Sequence, residues 1–169
     1  KTILDVQGKG SGFDVASTIY GGTIYFVTGG KVIKPLTVSS IPLLVAYSGQ
    51  KADTTTIVKE VLKKAKKYPN VINSIYNQIE SLTKQAQKSI EKKDWQNLGE
   101  LMNFNQGLLE SLGVSSKKLS NLVFAARENG AFGAKLSGAG VGDCMIALSS
   151  EKKVAEALQK AVGQIIKIK

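Results

Sequence analysis

Asp14 is the residue with the clearest potential for chemistry in this sequence. It is the one carboxylate in the segment QGKGSGFDVASTIYGG (7–22), where glycines and serines surround it. Small residues let a backbone approach a ligand closely, and successive amides can bind an anion. A carboxylate fixed there at the start of a helix could accept a hydroxyl proton during phosphoryl transfer to an alcohol. The alternative is that Asp14 only caps the helix of VASTIY (15–20).

A second glycine-rich cluster, KLSGAGVGDC (135–144), lies further along the chain. A strand is expected to run into the small residues 137–140, and a second strand is expected to begin after Gly142. Such a loop can wrap around a phosphate, because backbone amides reach the anion where side chains are small. The alternative is a tight connection that serves only to join two strands.

A third polar segment, SGQKADTTTIV (48–58), follows an apolar run. It opens a helix whose first residues are Asp53 and the threonines at 54–56. Helix N-termini attract anions through their free amides and the helix dipole. Ordinary capping of the helix by Asp53 is the alternative.

The hydrophobic periodicity predicts the elements that position these clusters. Two β-like runs at 23–27 and 31–36, separated by Gly29 and Gly30, indicate a hairpin, and the apolar run 41–47 indicates a buried central strand. The helical period then predicts helices at 54–68, 71–92, 95–112 and 117–129, with Asp53, Asp94 and Ser115 or Ser116 as caps and Pro69 interrupting the pattern. Strands at 133–136, 144–148 and 165–168 and a helix at 151–162 complete the chain. This order predicts an α+β fold, with helices on one face of a mostly antiparallel sheet.

Several residue types narrow the possible functions. The sequence has no His, which excludes His-based triads and His metal sites. Its single cysteine, Cys144, excludes an internal disulfide and favours a reducing, cytoplasmic compartment. We expect Cys144 to be a packing residue, and Trp95, Phe104 and Phe124 to lie in the core.

The net charge of +10 favours anionic partners such as phosphorylated small molecules, acidic membranes or nucleic acid. Arg127 is the only arginine, whereas nucleic-acid footprints usually combine arginine with aromatic residues, so no nucleic-acid partner is expected. No apolar run reaches the roughly 20 residues of a membrane span, and no membrane partner is expected. The first residues lack a signal-peptide layout, and the missing initiator Met suggests trimming or a fragment.

Together the three clusters resemble the GHMP kinases. The segment SGFDVASTIYGG (11–22) is similar to the central motif of that superfamily, and KLSGAGVGDCMIAL (135–148) is similar to its glycine-rich third motif. The segments GQKADTTTIVKEV (49–61) and NQGLLESLGVSSKKLSNLVFAAR (105–127) resemble mevalonate kinases in particular. The resemblance covers essentially the whole chain.

The resemblance implies an ATP- and Mg²⁺-dependent kinase that phosphorylates the primary alcohol of mevalonate to give 5-phosphomevalonate. It implies that Asp14 is the catalytic base, that Ser11 and Gly12 shape the same loop near the substrate, and that Thr54 lies at the substrate end of the site. It also implies a phosphate-binding loop formed by Ser137, Gly138, Ala139 and Gly140.

The resemblance further implies a domain division. Residues 1–30 would be a remnant of the N-terminal domain carrying the Ser-Gly-x-Asp motif, and residues 31–169 the GHMP C-terminal domain with a ferredoxin-like core. In this family the ATP-binding loop, the catalytic Lys and the Mg²⁺-binding residues lie upstream of the Asp motif. We therefore expect no metal ligand in this chain, no activity of the chain alone, and the missing N-terminal half as its partner. A homodimer is an open alternative.

Two other functions stay open. The Gly-Asp-Cys at 142–144 and GKGSGFDVAS (8–17) also resemble phosphomevalonate kinases, since mevalonate kinases more often have Gly at position 143. That alternative predicts a basic side chain, Lys9 or Lys51, near Asp14. The other is a non-enzymatic basic module that binds RNA or a protein. The single arginine and the few aromatic residues on the predicted strands argue against it.

Overall fold

The structure, a computed structural model, describes residues 12–38 and 40–161, together with the backbone of 164–166. The chain forms two compact units, Lys1–Ser40 and Ile41–Lys169. Among the described helices, none combines the length and the apolar character needed to cross a lipid bilayer.

The described part of the first unit is a helix followed by a hairpin. Helix α1 is Phe13–Tyr20, and strands β1 (Thr23–Val27) and β2 (Val32–Leu36) pair in antiparallel fashion. A short 3₁₀ turn, Thr28–Gly30, joins them, and its Gly29 has a φ of 80°. The hairpin predicted from the glycine pair is confirmed. The predicted domain boundary at residue 30 falls at the end of this turn and stays a prediction.

The second unit contains an antiparallel sheet of four strands in the order β4-β5-β3-β6. Its strands are β3 (Leu43–Tyr47), β4 (Gly133–Ser137), β5 (Cys144–Leu148) and β6 (Gln164–Ile166). Strand β3 lies between two partners, as the continuous apolar run predicts. The predicted α+β class with an antiparallel sheet is confirmed.

Five helices accompany this sheet within the described residues. They are α2 (Thr54–Lys67), α3 (Pro69–Lys92), α4 (Trp95–Leu112), α5 (Lys117–Glu128) and α6 (Lys152–Lys160). The side chains of Asp53, Asp94 and Ser116 accept hydrogen bonds from backbone amides in the first turns of α2, α4 and α5, as predicted. Helix α3 starts two residues before its predicted start at about residue 71. Pro69 is the first residue of that helix. Proline is tolerated there because the amides of the first turn have no hydrogen-bond partner within the helix, so the missing N–H costs nothing.

The main core lies between one face of the sheet and the helices. Ala46, Leu136 and Met145 are adjacent across three strands and are fully buried. Leu122 of α5 and Leu158 of α6 pack into the same cluster. A second, smaller cluster of buried residues is formed by Leu98, Met102 and Leu148, with Trp95 packed against it.

Two predicted core residues are at the surface. Phe104 is 65% exposed and Phe124 is 52% exposed. Met102 and Gln106 lie on the buried face of helix α4. Phe104 is two residues from each of them, which places it on the opposite side of the helix. The same geometry places Phe124 away from the buried face of α5. The prediction failed because a helical spacing with apolar neighbours does not fix which face of the helix is buried.

The free edge of strand β4 is covered by side chains from α4 and α5. The amides of Ala134 and Leu136 donate to Asn103 Oδ1 at 3.1 Å and to Gln106 Oε1 at 2.8 Å. The Arg127 guanidinium donates to the Ala134 carbonyl oxygen at 2.7 Å. An edge strand presents unpaired backbone groups, and here side chains pair with them. Strand β4 is thereby held where it enters the glycine-rich loop.

Candidate active site

Asp14 lies in the first turn of α1 and is exposed to solvent. The N-cap position of the helix is Gly12, so Asp14 is not the capping residue that the alternative interpretation requires. The Asp14 carbonyl oxygen accepts hydrogen bonds from Ser17 Oγ at 3.0 Å and Thr18 Oγ1 at 2.8 Å.

Gly12, the N-cap residue of α1, has a left-handed backbone conformation, with a φ of 85°. Its carbonyl oxygen accepts the first helical hydrogen bond from the Ala16 amide at 3.1 Å. The predicted residue Ser11 lies outside the described residues. Asp14 and Gly12 are therefore the two members of the predicted substrate loop for which the structure gives a placement.

The glycine-rich loop, residues 137–143, connects β4 to β5. Ser137 is the last residue of β4, and Ala139 packs against the main core. Gly138 and Gly140 have φ values of 82° and 90°, which side chains disfavour. A β-carbon at Gly140 would also overlap the Val114 carbonyl oxygen, whereas at Gly138 it would meet no heavy atom within 4 Å. The loop is thus packed against the α4–α5 connection at Gly140 and has room beside Gly138.

Val141 adopts a strained conformation in the same loop. Its φ is 62°, a region that β-branched residues rarely occupy, and the residue is 44% exposed. The Val141 amide donates to the Val114 carbonyl oxygen at 2.7 Å. This backbone bond holds the loop in a conformation that the valine side chain alone would disfavour.

Asp143 joins the end of the loop to the segment that follows β3. Its amide donates to the Gln50 carbonyl oxygen at 2.6 Å, and its carbonyl oxygen accepts from the Ser48 amide at 2.7 Å. The Asp143 carboxylate accepts a further bond from the Ala52 amide, with an Oδ1–N distance of 3.2 Å. The approach is close, because a β-carbon at Gly142 would lie 2.8 Å from the Gln50 carbonyl oxygen.

Thr54, the predicted substrate-end residue, is the first residue of α2 and is exposed. The preceding Asp53 caps the helix by accepting bonds from the Thr55 and Thr56 amides at 3.1 and 3.3 Å. The Thr56 hydroxyl donates to Asp53 at 2.6 Å and is the main cause of a lowered pKa of that carboxyl group. The capping interpretation of Asp53 is confirmed, and Thr54 is left with an exposed side chain at the helix start.

The structure brings the glycine-rich loop and Thr54 together within the second unit. Thr54 lies two residues beyond Ala52, which bonds to Asp143. Asp14 belongs to the first unit. Within residues 12–38, 40–161 and 164–166, no three acidic or thiol side chains form a group that could hold a metal ion.

Sequence reasoning missed the links that hold this loop in place. In the sequence, Asp143 stands out only as a departure from a family pattern, and nothing marks Val114. The available signal was an aspartate directly after Gly142, since Asp tolerates the left-handed region better than most residues. Cys144, which follows, is partly buried. Burial raises the pKa of its thiol, and the charge of Asp143 raises it further, as suits a packing residue rather than a nucleophile.

The model of the family described as GHMP kinases C terminal matches residues 86–166. The chain thus contains a GHMP kinase C-terminal domain. It is 41% identical to the mevalonate kinases of Thermococcus sibiricus and Pyrococcus horikoshii, over 98% and 96% of its length. The crystal structure of L. major mevalonate kinase in complex with R-mevalonate superposes with a TM-score of 0.80 and 34% identity, over 92% of this chain and 48% of that one.

The chain spans about half the length of the curated relatives it matches. It covers 51% of the Thermococcus sibiricus protein and 50% of the Pyrococcus horikoshii protein.

Proposed function

We propose that this chain is the carboxy-terminal portion of a cytoplasmic kinase that transfers a phosphoryl group from ATP to the primary alcohol of mevalonate, giving 5-phosphomevalonate. The observation that carries the proposal is the 41% identity, over nearly the whole chain, to proteins named mevalonate kinase. The exposed carboxylate of Asp14 and the anchored glycine-rich loop supply local geometry that suits the reaction.

In this proposal Asp14 acts as the general base. The substrate hydroxyl oxygen forms a bond to the transferred phosphorus while the bond from that phosphorus to the leaving ADP oxygen breaks. The hydroxyl proton passes to the Asp14 carboxylate. The position of Asp14 in the first turn of α1, directly after the loop that contains Gly12, suits this role.

The glycine-rich loop would accommodate phosphate oxygens. At Gly138 the backbone has room, and at Gly140 and Val141 it is fixed against Val114. A fixed backbone can present amides to an anion without reorganisation during the reaction. Thr54, exposed at the start of α2, would contact the substrate, in line with the role that the family resemblance implies.

GHMP kinases use ATP, and the residues that would hold Mg²⁺ are proposed to lie outside this chain. No group of three acidic or thiol side chains is present among the described residues, and no step through a metal ion is assigned to them. The remaining half of the relatives' length would supply the nucleotide-binding loop. We therefore propose that the chain alone lacks kinase activity and requires that half as its partner. Whether the working enzyme is a dimer is left open.

Phosphomevalonate kinase is the second candidate, and one observation favours it. Asp143 stands where the glycine-rich motif of mevalonate kinases more often has Gly. Lys51 is exposed and lies between Gln50 and Ala52, which both form hydrogen bonds with Asp143. Lys9, the other basic residue considered for a second phosphate, lies outside the described residues. The named relatives at 41% identity favour mevalonate over this alternative.

The test is a substrate comparison with the full-length enzyme that contains this chain. ADP release is measured with ATP and either mevalonate or 5-phosphomevalonate as acceptor, and the product is identified by mass. The proposal expects turnover of mevalonate and little turnover of 5-phosphomevalonate. The reverse preference would assign the second candidate, and no turnover of either acceptor would refute both.

A further inference from the structure

The carboxylate of Asp143 makes one contact that no backbone group could replace. Glycine at position 143 would also form the bonds to Gln50 and Ser48, because both use backbone atoms. Glycine would moreover adopt the φ of 56° observed for Asp143 without steric cost. The specific contribution of the aspartate side chain is therefore its bond to the Ala52 amide, across 91 residues of sequence.

Ala52 is placed where this bond has consequences for the site. It is partly buried against the main core and directly precedes Asp53, the cap of α2. The Asp53 carboxylate accepts hydrogen bonds from the Thr55 and Thr56 amides of its own helix. Capping by Asp53 therefore stabilises the start of α2 and makes no link to the glycine-rich loop. The Asp143 carboxylate thus links the start of α2 directly to the glycine-rich loop.

We propose that Asp143 is a positioning residue, which sets the distance between the glycine-rich loop and Thr54. The inference rests on the proposed function, in which the loop accommodates phosphate and Thr54 contacts the alcohol substrate. Each of these groups would still bind its own ligand if the link were lost. Their relative position would become less well defined, and in-line transfer depends steeply on the alignment of the two reactants.

The test compares three variants of the full-length enzyme. Asp143→Gly keeps both backbone bonds and removes only the carboxylate. Asp143→Asn keeps an oxygen acceptor for the Ala52 amide and tolerates the positive φ. Asp94→Gly is the matched control, because it removes a carboxylate that accepts one backbone amide, from Asn97 at 3.1 Å, at the start of a different helix.

Two measurements decide the outcome. The first is steady-state kinetics with ATP and mevalonate, with active enzyme counted by substrate-binding stoichiometry. We expect Asp143→Gly to lower kcat by about three- to tenfold with each KM changed less than about twofold, because alignment is lost while binding is retained. Asp143→Asn and Asp94→Gly should stay close to wild type. The second is hydrogen exchange at the Ala52 amide, which should become faster in Asp143→Gly and stay slow in Asp143→Asn.

The two readouts separate the possible failures. If Ala52 exchange is unchanged in Asp143→Gly, the bond is not a link and the inference is overturned. If exchange becomes faster while kcat stays at the wild-type value, the link exists but does not position the site, and the inference is again overturned. If wild type fails to phosphorylate mevalonate while Ala52 exchange responds as expected, it is the proposed function that fails.

Discussion

The Val141 amide donates a hydrogen bond of 2.7 Å to the carbonyl oxygen of Val114, the residue that follows the C-cap of α4. The same oxygen occupies the place that a β-carbon at Gly140 would need. The glycine-rich loop is thus anchored through its backbone to the α4–α5 connection. This connection lies in the segment 105–127, one of the two segments whose sequences resemble mevalonate kinases in particular.

Replacing Gly140 should be costly for stability. Gly140→Ala would combine an unfavourable φ with a direct overlap, and we expect a loss of about 3 kcal/mol or more in the free energy of unfolding. Gly138→Ala is the matched control: it has a similar φ and open space, and should cost about 1–2 kcal/mol. Urea titration followed by circular dichroism measures both. Equal losses would show that the Val114 carbonyl does not restrict the loop.

Asp14→Asn should separate catalysis from folding. The exposed carboxylate does not cap α1, so its loss should leave the unfolding free energy nearly unchanged. Removal of a general base should lower kcat of the full-length enzyme by about 10²- to 10⁴-fold. Steady-state kinetics and a urea titration of the same preparation measure the two effects. A loss of turnover smaller than about tenfold would exclude the role of base.

The two faces of α5 give a prediction that concerns packing alone. Leu122 is fully buried, and Leu122→Ala should destabilise the protein by about 2–5 kcal/mol. Phe124→Ala removes a larger but mostly exposed side chain from the same helix, and should cost less than about 1 kcal/mol. Thermal or urea unfolding of both variants gives the comparison. A larger loss for Phe124→Ala would mean that this aromatic residue packs against another part of the protein.

The sequence predicted features whose cause is local. Asp53 and Asp94 cap helices because their side chains reach amides two or three residues ahead, and glycine pairs make a hairpin turn by their own backbone freedom. The strand β3 was predictable because a strand with a neighbour on each side is apolar throughout.

Features that depend on distant parts of the chain could not be predicted in this way. The bond between Asp143 and Ala52 joins segments 91 residues apart, and sequence spacing gives no information about it. The exposure of Phe104 and Phe124 depends on which helix face meets the sheet, and that is decided by tertiary packing. For the candidate site, the sequence alone gives the order and spacing of the motifs. It does not predict which residues anchor the glycine-rich loop.

The last prediction concerns Lys135, whose side chain lies on β4 beside a cleft between α3 and α4. The cleft has a volume of about 200 Å³ and is lined mainly by apolar residues such as Leu82, Leu101 and Met102. Lys135 Nζ donates to the Leu136 carbonyl oxygen at 2.6 Å, and burial lowers the pKa of the ammonium group to about 8.

This lowered pKa gives a pH dependence with a defined sign. Between pH 8 and the ordinary lysine value of about 10.4, the unfolded chain binds a proton that the folded chain has released, so this group makes stability rise with pH in that window. Lys135→Met should abolish the rise, whereas Lys92→Met, at an exposed position on α3, should preserve it. Urea unfolding of the three proteins at pH 7.5 and pH 10 measures the difference. If wild type and Lys135→Met show the same change in unfolding free energy between these pH values, burial does not lower the pKa of the Lys135 ammonium group.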